Sequence, residues 1–274
     1  MPTIFEHMVL LSNGVQMPQL GLGTYKMTDP EETVTAVEKA VSQGYRAIDT
    51  ASIYQNEKEV GDAVRNCGVP REDLFITSKV WNDEQGYDET LRAFERSLTA
   101  LDMSYLDLYL THWPVSGSYI DTYRAIERLY DEKLIRATGV SNHHESHLME
   151  LFTVANIRPM VNQVELHPML TQEPLRQFCS DHQIAVTSWS PLARGTLLDD
   201  PVLSAIAESH GKTVAQVMIR WHLQHNLIVI PKSVTESRIK ENSEVSDFQL
   251  SETEMTLIDA MNKDQRTGTD PDTF

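Results

Sequence analysis

Short apolar runs rich in β-branched residues alternate with amphipathic stretches from one end of the chain to the other, which narrows the possible folds more than composition does. The strand-like runs cover 19–24, 47–50, 74–80, 106–112, 136–142, 159–166, 184–190 and 227–232. Between them, as at 31–41 and 90–98, apolar residues recur at three- and four-residue spacing, the period of a helix with one buried face. Asp29-Pro30-Glu31-Glu32 places an N-cap acid, a proline at N1 and two acids at the positive end of such a helix. Thr213 and Gln216 have capping-box spacing. Strands joined through helices pair in parallel, and eight of them predict a closed (β/α)8 TIM barrel, a single domain over 1–274. Asn13-Gly14 between apolar runs predicts an N-terminal β-hairpin, read as a cap over the barrel bottom. The polar loop 191–202 leads into a pair of extra helices, and loops this long on a compact barrel are commonly functional.

Charge excludes several partners. With 23 basic against 40 acidic residues, the net charge of −17 repels nucleic acid and anionic membranes. A phosphate site must then build its positive field locally, which makes each well-placed Lys or Arg more telling. Cys67 and Cys179 lie far apart without metal-ligand spacing, so they read as free thiols of a reducing compartment. The N-terminus carries no secretory pattern, and no run approaches the ~18 apolar residues of a membrane span. The expectation is a cytoplasmic monomer.

Four polar residues, Asp49, Tyr54, Lys79 and His112, fall at or just after the ends of these runs. Strand C-termini of parallel barrels form the reactive face, and a strand end is a rigid mount for a side chain. A phenol is a poor acid because its free pKa is about 10, but a nearby cation stabilises the phenolate. Lys79 supplies such a cation, Asp49 is its natural counter-ion, and His112 can donate to a carbonyl and orient it. Together they polarise C=O and protonate its oxygen as a hydride reaches carbon. No side chain carries a hydride, so a cofactor is required.

The motifs Asp49-Thr-Ala-x-x-Tyr54-x-Asn56-Glu57, the Lys79 strand and His112-Trp113-Pro114 resemble the aldo-keto reductases. The likeness continues through Gly139-Val-Ser141-Asn142, Asn162-Gln163-Val-Glu165-x-His167-Pro168, Ser190-Pro191-Leu192 and Ile230-Pro231-Lys232-Ser233-Val234. It spans the chain in order. The ending Gly268 to Phe274 looks like the bacterial diketogluconate-reductase and prostaglandin-F-synthase-like branch. The resemblance implies Tyr54 as general acid, Lys79 and Asp49 as the pair that lowers its pKa, and His112 as carbonyl orienter. It implies NADPH/NADP+ as cofactor. Ser141, Asn142 and Gln163 would hold the carboxamide, with Trp189 stacked on the nicotinamide and Thr24 lining the cleft. Ser190, Pro191, Leu192, Gly195 and Leu197 would cross the pyrophosphate. Pro231, Lys232, Ser233, Val234, Thr235, Arg238, Glu241 and Asn242 match the adenosine end. Lys232 and Arg238 would lie near a 2′-phosphate, favouring NADPH over NADH.

Tyr25, Trp81, His112 and Trp113 follow strand ends and are placed around the substrate, and the short tail is expected to leave that pocket open to small aldehydes and ketones. Gly21-Leu-Gly23 lacks the third glycine of a dinucleotide fingerprint. His143, His144 and His147 lack the HExxH order and read as a solvated helix start, so no metal is assigned. His222 and His225 read as outer-face residues, and His167 as structural. Two rival functions share the barrel: a cofactor-binding protein with a regulatory or structural role and little turnover, and a phosphate-binding isomerase or aldolase. The intact tetrad weighs against the first, and the Trp189 with Ser141/Asn142/Gln163 set against the second.

Overall fold

The computed structural model describes residues 3–274. An antiparallel hairpin comes first, β1 (Met8–Leu10) and β2 (Gln16–Pro18). The alternation begins with β3 (Gly21–Gly23), α1 (Pro30–Ser42), β4 (Ala47–Asp49) and α2 (Glu57–Asn66). It continues through β5 (Phe75–Val80), α3 (Tyr87–Leu101), β6 (Leu106–Thr111), α4 (Tyr119–Asp131), β7 (Ile135–Ser141) and α5 (Glu145–Phe152). The last part holds β8 (Val161–Glu165), α6 (Glu173–Asp181), β9 (Ala185–Trp189), α7 (Pro201–His210) and α8 (Val214–Gln224). It ends with β10 (Ile228–Val229), α9 (Glu236–Ser243) and α10 (Glu252–Asp259).

β3 to β10 pair in parallel in chain order, and a parallel bridge between Leu20 and Val229 closes the barrel. The two-residue period of a strand sorts the side chains. Ala47, Phe75, Leu108, Leu110, Ala137, Val161 and Ile228 fill the interior, while Ile48, Ile76 and Tyr109 pack in the layer under the helices. The interior is tight: a Cβ on Gly139 would lie 2.6 Å from Leu110 Cδ2 and 2.7 Å from the Val161 carbonyl. Higher up, the same inward set turns polar and becomes the site.

The caps form as their sequences dictate. Asp29 accepts from the Glu32 amide at 2.8 Å, and Thr213 with Gln216 makes a reciprocal capping box on α8. The hairpin covers the lower end, where Leu11 and Met17 pack on Ala47 and Phe75 and Asn13 donates to the Arg136 carbonyl at 2.9 Å. Beside it the buried Asp107 holds Arg71 at 2.8 Å, Arg136 at 2.7 Å and the Ile76 amide at 2.9 Å. The end far from the strand C-termini is thus locked by charge as well as packing.

Two expectations are corrected. The extra helices are not a pair before the last strand: α7 and α8 both precede β10, one serving as its ordinary crossover, and the second extra helix lies among α9 and α10. His222 is not on the outer face but fully buried, with Met218 and Leu166 carbonyls at 2.7 and 3.1 Å from its ring nitrogens. Burial pushes its pKa down to about 4. Helical spacing alone does not reveal that α8 is enclosed by α7, α9 and β10. Among the described residues no helix is long and apolar enough to cross a membrane.

Candidate active site

Asp49, Lys79 and His112 leave the barrel at the C-terminal ends of β4, β5 and β6, and Tyr54 stands on the 3-10 turn Ser52–Tyr54 after β4. Their side chains converge. Lys79 is wholly buried and donates to Asp49 Oδ1 at 2.6 Å and to the Thr50 carbonyl at 2.8 Å. Its third donor faces the Tyr54 hydroxyl at 3.4 Å. Asp49 accepts from Gln163 Nε2 with its other oxygen, at 2.7 Å. A buried ammonium survives only with such partners. Burial draws Lys79 below its ordinary pKa, opposed by the Asp49 carboxylate.

The phenol departs from expectation. Burial first, then Asp49 and Tyr25, hold Tyr54 well above 10, so Lys79 does not lower it here. Desolvation of the buried phenol dominates, and the Asp49 carboxylate that holds Lys79 at 2.6 Å adds a negative charge that further disfavours the phenolate. Tyr54 therefore keeps its proton at rest. His112 is driven the other way, its pKa well below 6.5 through burial and then the Lys79 charge, so the ring is neutral. Its Nδ1 is buried with no hydrogen-bond partner among the described residues. A proton there would find no acceptor, which places it on Nε2, where the ring can donate.

Asn56, which the sequence motif contains without a stated role, ties this corner together. Its Nδ2 donates to the Thr24 and Met27 carbonyls at 3.0 and 3.1 Å, and its Oδ1 accepts from Thr50 at 2.7 Å. Thr24 in turn donates to the Asp49 carbonyl at 3.0 Å. The loops after β3 and β4 are thereby one unit.

Around the tetrad lies an amide shelf. Ser141 donates to the Gln163 carbonyl at 2.8 Å, Asn142 Nδ2 to the His112 carbonyl at 2.9 Å, and Trp189 Nε1 to Asn142 Oδ1 at 2.7 Å. Asn142 adopts a left-handed φ of 61°, which asparagine tolerates. Gln163 spends its amide nitrogen on Asp49, and its Oε1 makes no bond among the described residues. Facing amides, a hydroxyl and a half-buried indole suit a flat ring bearing a carboxamide, so the donor set fits a nicotinamide.

Beyond the shelf, Ser190, Ala193, Arg194 and Gly195 all have positive φ in the loop after β9. Pro191 and Leu197 are buried beneath that loop, with Leu192 and Gly195 along it. Such backbone is held at a cost and clusters at binding sites. Pro231 and Ser233 are buried in the turn after β10, where Ser233 Oγ accepts from the Thr235 amide at 3.2 Å, and Val234 is half-buried. Lys232 and Arg238 are exposed, and nearby ion pairs join other residues, Lys39 to Glu236 and Lys240 to Glu244. Two open cations fit a phosphate. Glu241 is engaged by Thr213 at 2.9 Å, and Asn242 is buried in α9.

The aromatic residues gather as the sequence implied. The Tyr25 ring lies 5.0 Å from Tyr54, Trp81 meets His112 edge-on at 5.1 Å, and Trp113 stands 6.5 Å from Trp189. The open mouth is not found. The tail crosses it, and Phe274 packs on Trp113 at 4.6 Å. The segment is held by Glu165, which sequence reasoning left without a role although it shares the inward face of β8 with Gln163. His143 is also corrected: it is buried against Tyr119, with Nδ1 2.9 Å from the Ser141 carbonyl and a pKa pushed down to about 3 by burial. His144, His147 and Asp272 do come together. However, Arg266 donates to His144 Nε2 at 2.8 Å, which leaves the Nδ1 proton for Asp272 at 2.7 Å. His147 Nδ1 accepts from the His144 amide at 3.1 Å, so the cluster is joined by protons, with its lone pairs already used.

Comparison with known proteins identifies the family. Residues 19–263 match the model of the Aldo/keto reductase family. The chain is 54% identical over 272 residues to the glyoxal reductase of Bacillus subtilis, covering 99% of each. It is 45% identical over 277 residues to a methylglyoxal reductase of Salmonella typhimurium, covering 100% of this chain and 98% of that protein. A crystal structure of a Gox0644 variant in complex with NADPH superposes with a TM-score of 0.93, at 44% identity and 98% coverage of both chains.

Proposed function

The chain belongs to the aldo/keto reductase family, and on that premise we propose that it reduces small aldehydes and ketones to alcohols with NADPH, using Tyr54 as the acid. The observation that carries this is the convergence of Lys79 on Asp49 at 2.6 Å and on the Tyr54 hydroxyl at 3.4 Å, beside a neutral His112. The relatives named as glyoxal and methylglyoxal reductases support dicarbonyls as substrates. Aromatic aldehydes and keto-sugar acids extend the same class.

NADPH supplies the hydride when bound. Ser141, Asn142 and Gln163 hold its carboxamide and Trp189 its ring face, while Lys232 and Arg238 meet the 2′-phosphate. His112 Nε2–H donates to the substrate oxygen and fixes which face of the carbonyl is attacked. Tyr54 then gives its proton to that oxygen as negative charge develops there. Burial keeps Tyr54 protonated at rest, so its proton is at hand for this transfer. Lys79 is the cation that balances the phenolate left behind, and Asp49 keeps Lys79 in place.

The finer reading is of one barrel domain acting as a cytoplasmic monomer on small molecules. Support comes from the acidic surface and from the two cysteines, Cys67 and Cys179, both free thiols. The test is NADPH absorbance decay with methylglyoxal, an aromatic aldehyde and a keto-sugar acid. Consumption that vanishes in Tyr54→Phe supports the reading, whereas NADPH binding without turnover on any of the three refutes it.

A further inference from the structure

Glu165 is the buried charge of the barrel mouth that the proposed chemistry does not use. Its carboxylate is fully enclosed at the end of β8 and accepts from four donors. These are His167 Nε2 at 3.0 Å, the Thr267 amide and hydroxyl, both at 2.5 Å, and the Gly268 amide at 3.1 Å. Burial alone would raise its pKa, but the bonds from His167 and Thr267 outweigh this and bring it below the ordinary value, so it is ionised. Three of the four donors belong to the tail. The carboxylate therefore fixes where the 267–268 segment runs.

That segment runs across Trp189. Glu165 and Trp189 are direct register partners in β8 and β9, so their side chains leave the sheet side by side. Gly268 lies so close to the indole that a Cβ would fall 2.5 Å from Trp189 Cη2 and 3.3 Å from Cζ3. One side of the ring is thus backed by peptide, while its Nε1 is bonded to Asn142 on the shelf. We propose that Glu165 is a positioning residue for cofactor binding: by pinning Thr267 and Gly268 it presses the tail against Trp189 and sets the plane offered to the nicotinamide ring. The inference rests on the reading of Trp189 as that ring's platform. Glu165 touches neither the acid nor the substrate, so its effect falls on NADPH affinity more than on turnover at saturation.

A double-mutant cycle read by calorimetric NADPH titration tests this, since residues that act through one another are non-additive. Glu165→Gln, which keeps shape but removes the charge, is expected to weaken NADPH binding about tenfold, the scale of coupling between contacting residues. The Michaelis constant for NADPH should rise in parallel with kcat little changed. In a Trp189→Ala background the same change is expected to cost less than about twofold. Gly268→Ala, whose Cβ would fall 2.5 Å from the indole and 3.2 Å from Glu165 Oε2, keeps the carboxylate charge while displacing the tail from the ring, so it should mimic this effect and serves as the test if Glu165→Gln does not fold. An equal loss in both backgrounds, or a variant that is merely less heat-stable with unchanged affinity, overturns the proposal. Trp189→Ala with unchanged affinity removes the platform and the proposal with it. A wild-type protein that binds NADPH but turns over no carbonyl fails the reductase reading alone and leaves the cycle interpretable.

Discussion

Replacing Asp49 with asparagine tests the central ion pair where it is most exposed to refutation. Asp49 accepts from two donors at once, Lys79 at 2.6 Å and Gln163 at 2.7 Å. Asparagine has one acceptor oxygen, so it must turn an amide toward one of them. The oxygen should stay on Lys79, and Gln163 should flip to present its own oxygen. What is lost is the charge that balances an ammonium with no exposed surface. Removing one partner of a buried pair costs about 3–5 kcal/mol. The retained Lys79 bond puts this case near 3 kcal/mol, a fall in melting temperature of roughly 6–12 °C for a chain of this size. The pH dependence is the sharper signature. Without the carboxylate, Lys79 has a folded-state pKa still further below its unfolded value of about 10.4. Between those two values the unfolded chain binds the extra proton, so stability rises with pH there. Calorimetric melting of Asp49→Asn and wild type at neutral and at alkaline pH should therefore show a deficit that narrows as pH rises. A deficit independent of pH would refute the claim that an uncompensated Lys79 causes it.

Tyr54→Phe should lose roughly 10²–10⁴-fold in kcat, the usual worth of a positioned acid, with NADPH affinity by titration unchanged. A wild-type rate would remove Tyr54 from the chemistry. Arg238→Ala should raise the Michaelis constant for NADPH more than that for NADH, and equal effects would dismiss the 2′-phosphate contact. Because His112 titrates well below 6.5 and Tyr54 well above 10, kcat for reduction should stay flat from pH 6.5 to 9, and an inflection inside that window would contradict the assigned protonation states. Gly139→Ala should destabilise by about 1–3 kcal/mol in chemical denaturation, since its Cβ would meet backbone of β8 as well as a side chain.

How much of this was legible beforehand follows from which signals are local. Every barrel strand could be read because a strand buried on both faces is a short, continuous, β-branched apolar run, and Asp49, Lys79 and His112 stood out at the ends of such runs with Tyr54 on the turn just after one. The hairpin was legible from Asn13-Gly14 alone. What escaped depended on distant packing. His222 and His143 carry no mark that separates a buried imidazole from a solvated one. The Tyr54 proton depends on how deeply the phenol is buried and how near Asp49 lies, which are matters of packing and not of residue type. Glu165 was visible in principle, two residues past Gln163 on one strand face. Its partners Thr267 and Gly268 lie in a tail without periodicity, so nothing local tied them to it.

The ring closure has a mechanical consequence. β6 and β7 run in register from Leu106–Ile135 to Thr111–Val140, whereas β9 and β10 share only Thr187–Ile228 and Ser188–Val229, and the seam is bridged by the Leu20–Val229 pair with backbone bonds from Val229 to Gln19 and from Gly23 to Pro231. The barrel is therefore a stiff arc joined to a compliant one, since local opening costs least where backbone pairing is sparse. Lys79 and His112 follow strands of the stiff arc. The loops proposed to cradle the pyrophosphate and adenosine leave from β9 and β10, on the compliant arc. A reductase must hold the lysine and histidine that serve its reacting centre still through every cycle yet release a large nucleotide each time, and here Lys79 and His112 stand on the well-paired strands while the nucleotide loops leave from the sparsely paired end of the sheet.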